Sequence, residues 1–141
     1  MRMAAKARPK KKAKRSPGKS APLILEPTPD TRFARTATKG ALFARVTSFL
    51  LVQDRVDEAV RLYETSVIPA ARSQKGFRGA FLLIDRASGR GQSVTVWRSE
   101  DDAAVNEASR YYQEQLAKFL TFYAAPPIRE GYELAVEVRT G

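Results

Sequence analysis

Two residue types are missing from this chain altogether, cysteine and histidine. Without cysteine there are no disulfides, no thiolate nucleophile and no cysteine-ligated metal. Without histidine there is no imidazole base and no His-bound zinc, and with both gone neither side chain can hold haem iron. The chemistry that remains must come from carboxylates, Tyr, Ser/Thr, Lys and Arg. Long apolar runs are lacking too, since nothing approaches the ~18 residues that a membrane span needs. The short run Leu23-Ile-Leu25 is cut off by Glu26, Pro27 and Pro29, so a secretory leader is not expected and a cytoplasmic location is.

Acidic residues are absent from the first stretch of sequence, Met1 to Ser20. Residues 1–40 hold 12 Lys/Arg against 2 Asp/Glu, which leaves 13 of each for residues 41–141. The net charge of +10 therefore belongs to one end, and the rest of the chain is formally neutral. So basic a segment buries too little apolar surface to offset its ordering entropy, and residues 1–40 are expected to be a disordered tail and linker. Its cluster Lys10, Lys11, Lys12, Lys14 and Arg15 can neutralise phosphates of DNA or RNA, meet anionic lipid, act as an import address, or simply aid solubility. No aromatic interleaves with these charges, so any nucleic-acid contact is expected to be non-specific, with a log–log salt slope near about −5 for some six phosphates.

One domain is expected over residues 41–139, long enough for a core without staples. Leu42 to Val52 reads as a strand covered on most of both faces. Asp54 is placed to cap a helix whose apolar stripe is Val56, Ala59, Val60, Tyr63, Val67, Ala70 and Ala71. Pro69 should bend or break its last part, and Gly76 should stop it. Phe77 to Asp85 and Gln92 to Arg98 read as strands joined through Ala87-Ser-Gly-Arg-Gly91. Ser99, with Asp102 three positions on, approximates a capping box for a second helix striped by Val105, Ala108, Tyr112, Leu116, Phe119 and Tyr123. After Pro126-Pro127, Tyr132 to Val138 alternates as a last strand with one polar face.

The two halves echo one another. An offset of about 49 residues carries Val56, Ala59, Tyr63, Val67 and Ala70 onto Val105, Ala108, Tyr112, Leu116 and Phe119. Each half is strand–helix–strand, which predicts an α+β, ferredoxin-like βαββαβ fold. The Pro69-bearing helix, Gly76-Phe77-Arg78-Gly79, the strand ending in Trp97 before an acidic helix start, and Tyr111-Tyr112-Gln113-Glu114 together resemble the antibiotic biosynthesis monooxygenase-like family of the dimeric α/β barrel superfamily. That resemblance implies a four-stranded antiparallel sheet with two helices on one face, and two such sheets paired in a barrel-like homodimer. Phe77 to Ile84, apolar at both parities, independently asks for cover on both faces.

The resemblance also implies cofactor-free oxygenation of a small aromatic or enolic compound as one function. Haem-degrading relatives share a tryptophan at Trp97 but bind iron through histidine, so haem degradation is not expected, and no cofactor is assigned. The alternative is a non-catalytic dimerisation or ligand-sensing module tethered to nucleic acid by the basic tail. No catalytic residue is assigned. Three residues are candidates for a pocket holding a small apolar ligand. Trp97 either shapes that pocket or anchors the core. Arg45 either orients an acidic or enolic ligand or pairs with a strand carboxylate or reaches an edge. Tyr111 lies one step off the helix stripe, so its hydroxyl is the phenol expected to reach a cavity or solvent, whereas Tyr112 is expected in the core. Asp57, Glu58 and Glu100-Asp-Asp102 are assigned to the helix dipoles of their first turns.

Overall fold

A computed structural model describes residues 38–141, and the basic cluster from Lys10 to Arg15 lies outside the described residues. Four strands, β1 (Leu42–Leu50), β2 (Phe77–Ile84), β3 (Arg90–Trp97) and β4 (Ile128–Leu134), form one sheet in the order β2-β3-β1-β4. All three pairings are antiparallel. Between β1 and β2 run helices α1 (Val56–Leu62) and α2 (Ile68–Arg72); between β3 and β4 run α3 (Glu100–Glu107) and α4 (Arg110–Phe119). This is the expected ferredoxin-like arrangement, with each half supplying one outer and one central strand.

The first helical segment begins with a 3-10 turn at Gln53–Arg55 and has no side-chain cap at either start, so Asp54 does not cap it. Asp54 sits instead within the first turn, where its charge faces the positive end of the dipole. Pro69 does not break the helix. A π turn, Tyr63–Val67, precedes it, in which the Ile68 N–H reaches back five residues to the Tyr63 carbonyl. A proline in a regular α-helix collides with the carbonyl four residues before it and withholds one donor; the wider turn accommodates both, and the helix continues to Arg72. The helix ends at Arg72, ahead of the expected stop, and Gly76 at φ +83° turns the chain into β2.

The second segment departs further from expectation. Ser99 caps α3 by accepting the Asp102 N–H at 3.1 Å. The helix stops at Glu107, and Ser109, extended at φ −74° and ψ 148°, caps α4 by accepting the Tyr112 N–H. That extended residue resets the helical phase. Leu116 and Phe119 are buried as expected, but Val105 (69% exposed) and Ala108 face solvent, and the buried face of α3 is Asp102, Ala103, Asn106 and Glu107. The sequence echo therefore fails at its first two positions.

The last strand is also displaced from Tyr132–Val138 to Ile128–Leu134. Its partner decides this: β1 pairs Leu42 with Leu134 and Ser48 with Ile128, and before Leu42 the chain turns at Lys39 and Gly40. Among the described residues no strand lies opposite Val136 and Val138, which are 78% and 82% exposed.

Strand alternation sorts the sheet into two faces. The inner face presents Phe43, Arg45, Thr47 and Phe49 beside Trp97, Thr95 and Ser93, in register across β1 and β3. One core cluster, Leu51, Val56, Ala59, Tyr63, Phe119 and Phe122, binds helices to sheet, and a second holds Phe43, Trp97 and Ala103. The outer face carries Phe81, Leu83, Ile128 and Tyr132, all uncovered in the single chain.

Candidate functional site

Between the inner face and the helices lies a cavity of about 100 Å³. Phe49, Leu51, Leu82 and Ile84 line it from the sheet side, and Ala59, Val67, Ala70, Ala71, Leu116 and Phe119 from the helices. The small alanines leave the space; the sheet's aromatics and aliphatics keep it apolar. Two glycines make room for the rings behind it. A Cβ on Gly91 would lie 2.7 Å from the Phe49 ring, and one on Gly131 would lie 2.6 Å from the Phe43 ring.

Besides the neutral side chains of Thr47, Ser93, Thr95, Asn106 and Gln115, the cavity holds two sets of ionisable groups. The first is an ion pair. Arg45 on β1 donates from Nε to Glu107 Oε2 at 2.7 Å and from Nη2 to Oε1 at 3.2 Å, and both side chains are under a tenth exposed. The bidentate geometry satisfies both charges where desolvation would otherwise be prohibitive. The Phe43 ring, 4.9 Å from the guanidinium, supports it from the side.

The second feature is a set of phenols. Tyr63, Tyr111, Tyr112 and Tyr123 all line the cavity, four of the chain's five tyrosines. The Tyr63 hydroxyl shares a hydrogen bond with Ser93 at 2.9 Å. The Tyr112 oxygen accepts from Arg129 Nη1 at 3.0 Å. Burial raises the pKa values of Tyr63, Tyr112 and Tyr123 above the ordinary phenol value, and for Tyr123 the neighbouring phenols Tyr112 and Tyr63 add to the rise. These three groups keep their protons at neutral pH.

Among the sequence candidates, the cavity brings Arg45, Trp97 and Tyr111 to one wall system. Trp97 is 1% exposed, donates from its indole N–H to Thr95 Oγ1 at 2.9 Å, and meets Phe77 edge-on; it is a core anchor that also borders the cavity. Arg45 pairs with a carboxylate, but one from a helix and not from a strand. Tyr111, 47% exposed, stands where the cavity meets solvent. Tyr112, expected in the core, borders the cavity, and its hydroxyl accepts from Arg129 on β4. Sequence reasoning missed Glu107, Tyr63 and Tyr123. An acidic residue at the end of a helix and two tyrosines in apolar stripes carry no local sign of facing a cavity.

No family model matches the chain. Solved structures do. A candidate antibiotic biosynthesis monooxygenase from Nitrosomonas europaea superposes with a TM-score of 0.61 at 13% identity, over 70% of this chain and 94% of the other. A monooxygenase of Streptomyces coelicolor in complex with nanaomycin D gives a TM-score of 0.59 at 18% identity, over 74% and 96%. The chain has the antibiotic biosynthesis monooxygenase-like fold. An uncharacterized protein of Mycobacterium tuberculosis is 36% identical over 72 residues, 51% of this chain, and the match spans only 30% of that relative's length. Among the described residues, no helix of this monooxygenase-like fold is long and apolar enough to cross a membrane, and no group of three or more acidic side chains could hold a metal ion.

Proposed function

We propose that the protein is a homodimeric, cofactor-independent monooxygenase acting on a small aromatic or enolic compound held between sheet and helices. The observation that carries this reading is the mostly apolar cavity whose ionisable wall groups are four phenols and one buried ion pair. Such a site suits a flat, mostly apolar molecule bearing one or two oxygen atoms. The substrate itself would supply the electrons: an activated methylene is deprotonated, its carbanion reduces dioxygen, and the balance is R₂CH₂ + O₂ → R₂C=O + H₂O, four electrons passing from carbon to oxygen. The protein's part is to remove the proton, hold the carbonyl oxygen and exclude bulk water.

The homodimer is supported by the outer sheet face, where Phe81, Leu83 and Ile128 are each more than half exposed. Phe81 continues in register through Val94 to Val46 as an apolar row across three strands, with Leu83 beside it and Ile128 set apart at the other edge beyond Gln92 and Ser48, and such a row fits a second copy laid against it. For the tail, whose cluster lies outside the described residues, non-specific phosphate binding is proposed on charge alone; a chain starting at Thr38 should then lose the salt-dependent DNA binding of the full chain, and equal binding by both would dismiss it.

The oxygenase reading is tested with an oxygen electrode on dithranol and a series of quinols, without added flavin or metal. Uptake above the buffer rate, reduced by Tyr111→Phe and by Trp97→Phe, is the expected result. No uptake above buffer from any compound rejects it.

A further inference from the structure

Oxygenation of this type needs a base, and the cavity wall offers few. Its titratable groups among the described residues are Arg45, Glu107 and the four tyrosines. A guanidinium has no lone pair to accept a proton. Tyr63, Tyr112 and Tyr123 are held in their protonated form by burial, and Tyr111 stands at the solvent edge. Among the described residues, Glu107 is the only carboxylate on the wall.

The geometry equips Glu107 for that work. Each carboxylate oxygen accepts one N–H from Arg45, at 2.7 and 3.2 Å, so each keeps a second lone pair. The residue is fixed from its backbone as well, because its carbonyl accepts from Gln113 Nε2 at 3.0 Å across the break between α3 and α4. Arg45 has little freedom to wander, with Phe43 against its guanidinium and Gly131 opposite, where even a Cβ would stand 3.1 Å from Nη1. A complementary donor lies nearby. The Tyr112 oxygen already accepts from Arg129, so its own O–H is left to donate elsewhere, and the charge of Glu107 is close enough to raise the Tyr112 pKa.

We propose that Glu107 is the general base of this cavity, taking a C–H proton from an enolisable aromatic ketone while Tyr112 hydrogen-bonds the resulting enolate oxygen. This rests on the reading that the cavity binds such a compound. The C–H bond breaks, the proton passes to a Glu107 carboxylate oxygen, and the electron pair moves onto the ketone oxygen. Nothing is oxidised in this step, and return of the proton restores the starting ketone. Arg45 is a positioning residue: it holds the carboxylate and touches no reacting atom.

Because enolisation needs no oxygen, it separates from the oxygenase reaction. The full-length protein is incubated without oxygen in D₂O with β-tetralone or dithranol, and loss of the acidic C–H signal is followed by NMR; oxygen uptake on dithranol is measured in parallel. Wild type should accelerate exchange, Glu107→Gln should lower the rate by about 100-fold or more, Glu107→Asp should retain part of it, and Tyr112→Phe should lower it by less than Glu107→Gln. The double variant Arg45→Met/Glu107→Met, which buries no unpaired charge, should fold and still fail to catalyse exchange. Exchange that survives in Glu107→Gln or in the double variant overturns the assignment. Exchange that depends on Glu107 but is accompanied by no oxygen uptake upholds the base and overturns the oxygenase reading. Absence of exchange of either ketone by wild type overturns both.

Discussion

Gly76 packs its bare Cα against the side chain of Asp102 so closely that a Cβ at that position would stand 2.1 Å from the carboxylate oxygen Oδ2. The contact ties the exit of the first helical segment to the start of the second. The Gly76 carbonyl accepts the Arg98 N–H at 2.7 Å, and the Arg98 guanidinium lies 2.9 Å from that same Asp102 oxygen.

Gly76→Ala should therefore be costly twice over, by steric collision and by its φ of +83°. A loss of about 2 kcal/mol or more is expected in urea unfolding. Gly40→Ala provides the comparison, since Gly40 has φ +80° and a Cβ there would meet nothing within 4 Å; it should lose only the backbone part, about 1 kcal/mol. Equal losses in the two variants would show that the Asp102 contact is slack.

The Arg45–Glu107 pair makes a non-additive prediction. Arg45→Met leaves a buried carboxylate without its partner and should cost about 3–5 kcal/mol, whereas Arg45→Met/Glu107→Met should recover most of that stability. Chemical denaturation of the single and double variants measures the difference. Additive losses would mean that water reaches the carboxylate freely.

The buried phenols set an alkaline limit. Tyr63, Tyr112 and Tyr123 have folded-state pKa values raised above their unfolded values, so from about pH 10 upward the folded state binds more protons than the unfolded state. Stability is intact below that pH and falls as pH rises toward the folded pKa values. Ultraviolet titration should show the buried tyrosines ionising late, together with loss of structure, and Tyr63→Phe/Tyr123→Phe should push the alkaline transition upward. Early titration of all five tyrosines in the folded protein would contradict the burial.

The outer sheet face predicts an association surface. Phe81→Glu, at a residue 59% exposed in the single chain, should convert a dimer to a monomer in sedimentation equilibrium, while Tyr111→Phe should leave the dimer intact. A wild-type protein that sediments as a monomer at all accessible concentrations would leave that face without its proposed partner.

What the sequence disclosed was local. The Ser99 cap, the strand ending in Trp97 and the glycine turn between β2 and β3 all follow from a residue's own backbone preference, and each is present, with Gly89 at positive φ. What it concealed depended on distance or on phase. Arg45 announced a need for a partner, but Glu107 lies 62 residues away on a helix and nothing in the intervening chain points to it. The stripe Val105, Ala108, Tyr112, Leu116 fits one continuous helix, and only the extended backbone of Ser109 shows that two helices share it. The bounds of β4 were set by where β1 runs out, a property of its neighbour and not of its own alternation.

The break at Ser109 reaches beyond helix geometry. Were α3 and α4 continuous, the face turned to the sheet would carry Val105 and Ala108, and the cavity would lose Asn106 and Glu107 together. One residue of extended backbone thus decides which face of α3 lines the cavity. The chemical character of the cavity is therefore set by backbone phase at a helix joint as well as by the side chains that line it.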